Sequence, residues 1–183
     1  MRTLNKMTLG YIIGGLLVLI ILPSIIYLVT ISVDKIYRID IIQNNGLKLI
    51  VAFLLLMIGF SFGISSIIYQ NVIGKGGPVE ISNIEISPKT KNLVTSGPYR
   101  FTRNPMLFGT FLIYFALATF INSITAVFIV AIFVIFMLIV VVKKEEERLL
   151  KDFGNQYVQY RDKTSMIIPW FPKKAKNSRT HNK

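Results

Sequence analysis

Apolar residues fall in four long runs separated by short polar stretches, and this pattern predicts an all-α, multi-pass integral membrane helical bundle. The first run occupies residues 9–33. It is too long for the core of a secretory signal and no small-residue cleavage pattern follows it, so it reads as a retained span, with Pro23 expected to kink it. The second covers residues 47–69. Its small residues Gly59, Ser61, Gly63, Ser65 and Ser66 predict close approach of a neighbouring helix. The third and fourth runs, 107–121 and 124–142, are separated only by Asn122 and Ser123. That spacing predicts a tight C-terminal helical hairpin, and Pro105 and Met106 allow the short third helix to start nearer the headgroups. Beyond the fourth run, apolar and charged residues interleave from Lys143 on, as in an amphipathic helix at the membrane surface.

The distribution of positive charge orients these spans. Of 21 Lys and Arg, two precede the first span, five lie between Gln70 and Met106, and eleven follow from Lys143 onward. Only Lys35, Arg38 and Lys48 flank the first loop, and the hairpin turn has none. Both termini and the long middle loop are therefore expected on the cytoplasmic side. A net charge of +12 would also suit nucleic acid, but these cations lie between and after apolar runs, so the expected partner is the lipid bilayer and not nucleic acid. The chain divides into an N-terminal transmembrane pair (1–73), a core containing the hairpin (74–171) and a basic tail (172–183) read as a solvated or lipid-hugging end.

Composition narrows the chemistry. The absence of cysteine excludes disulfides, thiolate metal sites and a cysteine nucleophile, and the single histidine, His181, sits in the tail. No metal site is expected, and catalysis is left to carboxylates, Arg, Tyr, Asn and backbone groups. Two segments carry such groups beside the spans. One contains Gly74, Lys75, Gly76, Gly77 and Pro78, then Leu93-Val94-Thr95-Ser96-Gly97-Pro98-Tyr99 and Arg103-Asn104-Pro105. Its glycines and prolines suit a loop folded over a ligand, and suit an ordinary turn at Gly97-Pro98 equally well. On pattern alone, positive anchoring at the membrane face is enough to account for Arg100 and Arg103 as well. The other segment sets Glu145, Glu146 and Glu147 in a basic stretch, followed by Phe153-Gly154 and Tyr157. Three carboxylates there imply a facing positive group, although a solvated helix end with Glu147 paired to Lys151 explains them too.

Taken together, Leu93-Val94-Thr95-Ser96-Gly97-Pro98-Tyr99, Arg103-Asn104-Pro105-Met106-Leu107 and Glu145-Glu146-x-x-Leu149-x-x-x-Phe153-Gly154-x-x-Tyr157 resemble the isoprenylcysteine carboxyl methyltransferase family and its relatives among phospholipid methyltransferases. The resemblance covers about residues 74–169. It implies S-adenosylmethionine as cofactor, in contact with Lys91, Asn92, Leu93, Val94, Tyr99, Asn104, Pro105, Met106, Leu107, Glu145 and Glu146. Two positions depart from the pattern: Asn104 stands where His is frequent, and Leu107 where Tyr is usual.

Methyl transfer to a carboxylate that is already ionised needs no strong base, which suits a chain without a usable histidine. On this reading Arg103 and Glu146 are the catalytic candidates: Arg103 steers an anionic acceptor, while Glu146 or Glu145 holds cationic or hydroxyl groups of the cofactor. The expected acceptor is lipidic or prenylated and reaches the site from the bilayer. Methylation of a phospholipid amine and a non-catalytic scaffold of the same fold are the competing readings.

Overall fold

The protein is described here by a computed structural model covering residues 2–76 and 90–172. Among the described residues the regular elements are helices, with one isolated parallel bridge between Thr102 and Ser165. Gly77, Pro78 and the basic tail from Lys173 onward lie outside the described residues. Helices α1 (Arg2–Leu16) and α2 (Leu22–Asp34) form one rod joined through a π-helical turn at Leu17–Ile21. Then come α3 (Asn45–Tyr69), a second π-turn (Gln70–Gly74), α4 (Pro105–Ile121), α5 (Ile124–Met137), a third π-turn (Leu138–Val142), α6 (Lys143–Phe153) and α7 (Asn155–Lys163). Three continuous helices, Thr8–Asp34, Asn45–Gly74 and Ile124–Phe153, are long and apolar enough to cross a bilayer, and the apolar α4 is shorter. Leu28, Phe53, Phe128 and Ile132 are each more than half exposed on these rods, as side chains that face acyl chains should be.

Pro23 makes itself felt one turn before its own position. The Leu22 N–H bonds to the Leu17 carbonyl, five residues back. In that register the Val18 carbonyl would require an N–H from Pro23, which has none. The fully buried Tyr114 of α4 donates its hydroxyl to Val18 at 2.9 Å, satisfying the carbonyl that proline leaves open. Tyr114 thereby ties the first span to the hairpin, in a core with Ile26, Ala118, Ala126 and Val130.

The expected close approach occurs between α3 and α4. A Cβ on Gly59 would lie 2.8 Å from the Gly109 carbonyl oxygen, and one on Gly109 would lie 2.6 Å from the Gly59 oxygen and 2.8 Å from the Gly63 nitrogen. The two helices touch backbone to backbone, which any larger side chain would prevent.

At one end of the bundle the hairpin turn is locked to the first loop. Asn122 takes the left-handed conformation (φ 61°), accepts from the Ile41 and Ile42 amides and donates to the Ile42 carbonyl. Ser123 donates to Asp34 at 2.9 Å. Arg103 and α6 occupy the opposite end, where the basic segments gather. Lengths set their depth: at 1.5 Å per residue the 30-residue helices span about 45 Å, more than the ~30 Å hydrocarbon layer, whereas the 17 residues of α4 span about 26 Å. The longer helices therefore project into the headgroup region, while α4 begins close to the apolar boundary. Arg103 and Asn104 immediately precede α4, at the edge of its apolar run.

Candidate functional site

Three segments converge at this end of the bundle. The π-turn Gln70–Gly74 forms a platform on which residues 90–94 fold back. Both the Lys91 and Asn92 amides donate to the Gly74 carbonyl, at 2.8 and 3.3 Å, and the Asn92 side chain donates to the Ile73 carbonyl at 2.9 Å. Val94 is buried against Gly74, Leu93 is half-buried, and the Lys91 and Asn92 side chains are exposed. Gly97 explains the sharp approach that follows: its φ is +60°, and a Cβ there would land 2.4 Å from the Tyr69 ring. Only glycine meets both demands. The chain then enters a 3-10 turn (Gly97–Arg100) that carries Tyr99, whose hydroxyl donates to Gln70 Oε1 at 3.3 Å.

The second segment, residues 101–107, is braced by the chain that follows α7. The Arg103 amide donates to the Ser165 carbonyl at 2.8 Å. The Thr102 hydroxyl and the Asn104 amide nitrogen both donate to the Met166 carbonyl, at 3.1 and 3.0 Å. Asn104 thus holds this brace through its side-chain nitrogen. Pro105 follows at the first helical position, fully buried, where its missing N–H costs nothing, and Met106 and Leu107 are half-buried on the first turn of α4.

The third segment is α6, which continues the fourth span without a break and so carries Glu145 and Glu146 just past its apolar run. The two carboxylates have different partners. Glu145 is engaged by Arg148, whose Nε donates to Oε2 at 2.9 Å and whose Nη2 donates to Oε1 at 2.5 Å. Glu146 meets Arg103: Nη1 lies 3.1 Å from Oε1, with side chains only 11% and 21% exposed. The positive groups implied by the acidic cluster are therefore Arg148 and Arg103, and Arg148 also reaches Asp152 at 3.3 Å.

The Arg103–Glu146 pair is close but poorly aligned. Neither Arg103 Nη1 nor Glu146 Oε1 completes a hydrogen bond, and Arg103 Nε and the Tyr157 hydroxyl are also buried without one. Four such atoms in three neighbouring residues mark a concentration of polar groups whose hydrogen bonding the protein leaves incomplete. Tyr157 is fully buried. Burial, then the charge of Glu146, whose carboxylate is also within hydrogen-bonding reach, push its hydroxyl up to about 12, with Arg103 and Arg161 acting against them. Tyr160 donates to the Tyr99 carbonyl at 2.6 Å, linking α7 to the Gly97–Arg100 turn. Burial, followed by the Glu145 charge, holds the Tyr99 hydroxyl above the ordinary tyrosine range.

The structure thus brings Arg103 against Glu146, and Tyr99 into the field of Glu145, while Lys91, Asn92, Leu93 and Val94 lie along the platform that Tyr99 shares. Tyr157 and Gln70 belong to this constellation and received no role from sequence. Tyr157 had a signal, since it closes the third motif; Gln70 had none, being the polar end of a hydrophobic helix. Among the described residues no group of three His, Cys, Asp or Glu side chains is arranged to hold a metal ion.

A family model described as phospholipid methyltransferase matches residues 47–156, more than half of the chain. The match begins with α3 and ends just before Tyr157, so it takes in α3, α4, α5 and α6 with the segments that carry Tyr99, Arg103, Glu145 and Glu146. No curated protein and no solved structure matches the chain.

Proposed function

This chain belongs to the phospholipid methyltransferase family, membrane methyltransferases of lipid-like substrates, and from that premise we propose that it uses S-adenosylmethionine to methylate a carboxylate on a lipidic or prenylated acceptor drawn from the bilayer. The observation that carries the proposal is the Arg103–Glu146–Tyr157 group, largely shielded from solvent, with its incomplete hydrogen bonding. It offers a cation, an anion and a hydroxyl within one site, complementary to the zwitterionic amino-acid end of the cofactor and to an anionic acceptor. Glu146 would take the ammonium, the Tyr157 hydroxyl a polar neighbour, and Tyr99 an aromatic contact, with Lys91, Asn92, Leu93, Val94, Asn104, Pro105, Met106, Leu107 and Glu145 lining the remainder.

Bound S-adenosylmethionine supplies an electrophilic methyl group on a positively charged sulfur. Arg103 would hold and orient the acceptor carboxylate, whose oxygen would be the nucleophile toward that methyl group. No proton moves, so the site requires no base. Orientation and exclusion of water are the chain's contributions, and both follow from placing Arg103 at the edge of the apolar run of α4.

The family description favours a second reading, a phospholipid amine as acceptor. A protonated amine must first lose a proton, and Glu146 would then serve as the base. Both readings place the basic segments and both termini on the cytoplasmic side. The test is calorimetric titration of the purified protein with S-adenosylhomocysteine, followed by methyl-transfer assays on prenylcysteine and phosphatidylethanolamine acceptors. Binding with turnover of the carboxylate alone supports the first reading, and binding with turnover of the amine alone replaces it. Absence of binding rejects both and leaves a scaffold of this fold.

A further inference from the structure

The chain leaving α7 places large apolar side chains in the open beside positive charge. Ile168, Trp170 and Phe171 are 72%, 69% and 79% exposed, far more than residues of their kind usually are in a packed segment. They are nevertheless held in place: the Trp170 amide donates to the Phe101 carbonyl at 3.0 Å, and the Phe171 ring meets the Phe101 ring edge-on at 5.9 Å. Phe101 lies four residues before α4, so these side chains are fixed at the level where that helix enters the apolar layer. An open groove beside them is lined by Arg161, Lys163, Thr164 and Ser165, with Asp162 as its single acid. In sequence, Lys173, Lys174, Lys176, Arg179 and Lys183 follow with no Asp or Glu among them.

We propose that this groove is a seat for an anionic phospholipid, distinct from the Arg103–Glu146 site: Ile168, Trp170 and Phe171 insert at the headgroup–acyl boundary while Arg161 and Lys163 meet the headgroup phosphate. The side chains match the two chemistries of that boundary. Tryptophan and phenylalanine favour a layer that is half apolar and half wet, and cations near an anionic leaflet gain a field that a zwitterionic one lacks. A soluble protein partner would satisfy the apolar residues, but it would not account for their placement level with the start of α4 or for the excess of positive charge. The proposal rests on the membrane fold and is independent of the methyl-transfer chemistry.

Trp170 is the only tryptophan, so its emission reports on this segment alone. The full chain is reconstituted in two nanodisc preparations of identical headgroup composition, equal parts phosphatidylglycerol and phosphatidylcholine. Bromine is carried on the acyl chains of phosphatidylglycerol in one and of phosphatidylcholine in the other. The expected result is quenching about twofold stronger when the anionic lipid carries the bromine, with the difference abolished in an Arg161→Gln/Lys163→Gln variant. Equal quenching in the two preparations, a difference retained in the variant, quenching by aqueous iodide but not by bromine, or shielding from both quenchers would each overturn the proposal. Thermal unfolding of the same variant in detergent monitors its folding, since Arg161 acts electrostatically on Tyr157 and cofactor affinity would not be a neutral control.

Discussion

Glu145 and Glu146 are adjacent in sequence and equivalent by composition, and the structure separates them. The Glu145 carboxylate is occupied by Arg148 on the same helix, at 2.9 and 2.5 Å, and its side chain is 35% exposed. The Glu146 carboxylate, 21% exposed, lies 3.1 Å from an Arg103 that is 11% exposed, and Oε1 completes no hydrogen bond. Glu146→Gln keeps the shape and removes the charge. A charge-assisted hydrogen bond to a ligand contributes ~1.5–3 kcal/mol, so S-adenosylhomocysteine affinity should fall about 10- to 150-fold. Glu145→Gln disturbs a partly exposed i,i+3 pair worth ~0.2–1 kcal/mol, and the loss should be roughly fivefold or less.

The assay is calorimetric titration of both single variants, with thermal unfolding in detergent to separate binding loss from structural loss. Arg103→Gln completes a double-mutant cycle. If Arg103 and Glu146 act as one unit, the double variant should bind no worse than the weaker single one, giving a coupling term of about 1 kcal/mol or more. Equal losses in Glu145→Gln and Glu146→Gln, or a larger loss in Glu145→Gln, would refute the assignment of distinct roles to the two carboxylates.

Gly59→Val should lower detergent stability by about 1–3 kcal/mol because its Cβ meets the Gly109 backbone at 2.8 Å, whereas Gly63→Ala, with nothing within 4 Å of its Cβ, should unfold like wild type. Tyr157→Phe should leave the ligand-free fold intact yet weaken cofactor binding; loss of stability with unchanged binding would assign the hydroxyl a structural role. The raised Tyr157 pKa gives the sign of its pH dependence: the stability it contributes is full below pH 10 and lost as pH rises through about 12, so the wild type should lose more stability over that window than Tyr157→Phe does in parallel alkaline melts. Because the chain has no native cysteine, Ile36→Cys in the first loop and Asn182→Cys in the tail should label from opposite faces of sealed vesicles, and labelling from one face would overturn the orientation. Leu107→Tyr should change cofactor affinity less than about threefold if that position contributes apolar contact alone, and activity confined to the tyrosine variant would point to a scaffold.

The helical bundle was legible because hydrophobic runs of this length have few alternatives to crossing a bilayer. The hairpin was equally readable, since two residues between apolar runs leave no room for anything but a tight reversal. The Gly59–Gly109 contact was half legible: small residues advertised a close approach on α3, but nothing in the sequence named α4 as the partner. Pro23 was read as a kink. Its structural consequence is a π-turn whose open carbonyl is answered by Tyr114, and a hydrogen bond spanning 96 positions has no local signature. In the site, charge imbalance announced that something positive faces Glu145 and Glu146. It could not assign Arg148 to one and Arg103 to the other, because that depends on which face of α6 turns toward the residues before α4.

The chain's departures from the motif acquire a physical meaning in the brace that holds Arg103. The Thr102 hydroxyl and the Asn104 amide nitrogen share the Met166 carbonyl, and the Arg103 amide takes the neighbouring Ser165 carbonyl, so residues 102–104 are fixed by consecutive bonds to the strap after α7. A neutral imidazole at position 104 would also have an N–H to give to Met166, so asparagine preserves a donor while surrendering a group that titrates near neutral pH. What the brace requires at this position is a donor rather than a base. Proton-free transfer to an ionised carboxylate tolerates that exchange, because its demands are the position of Arg103 and the charge of Glu146. Transfer to an amine would instead need a group to take a proton, a demand that asparagine at position 104 does not meet. The asparagine at position 104 is thus compatible with the proposed carboxylate acceptor, which asks for no proton transfer there.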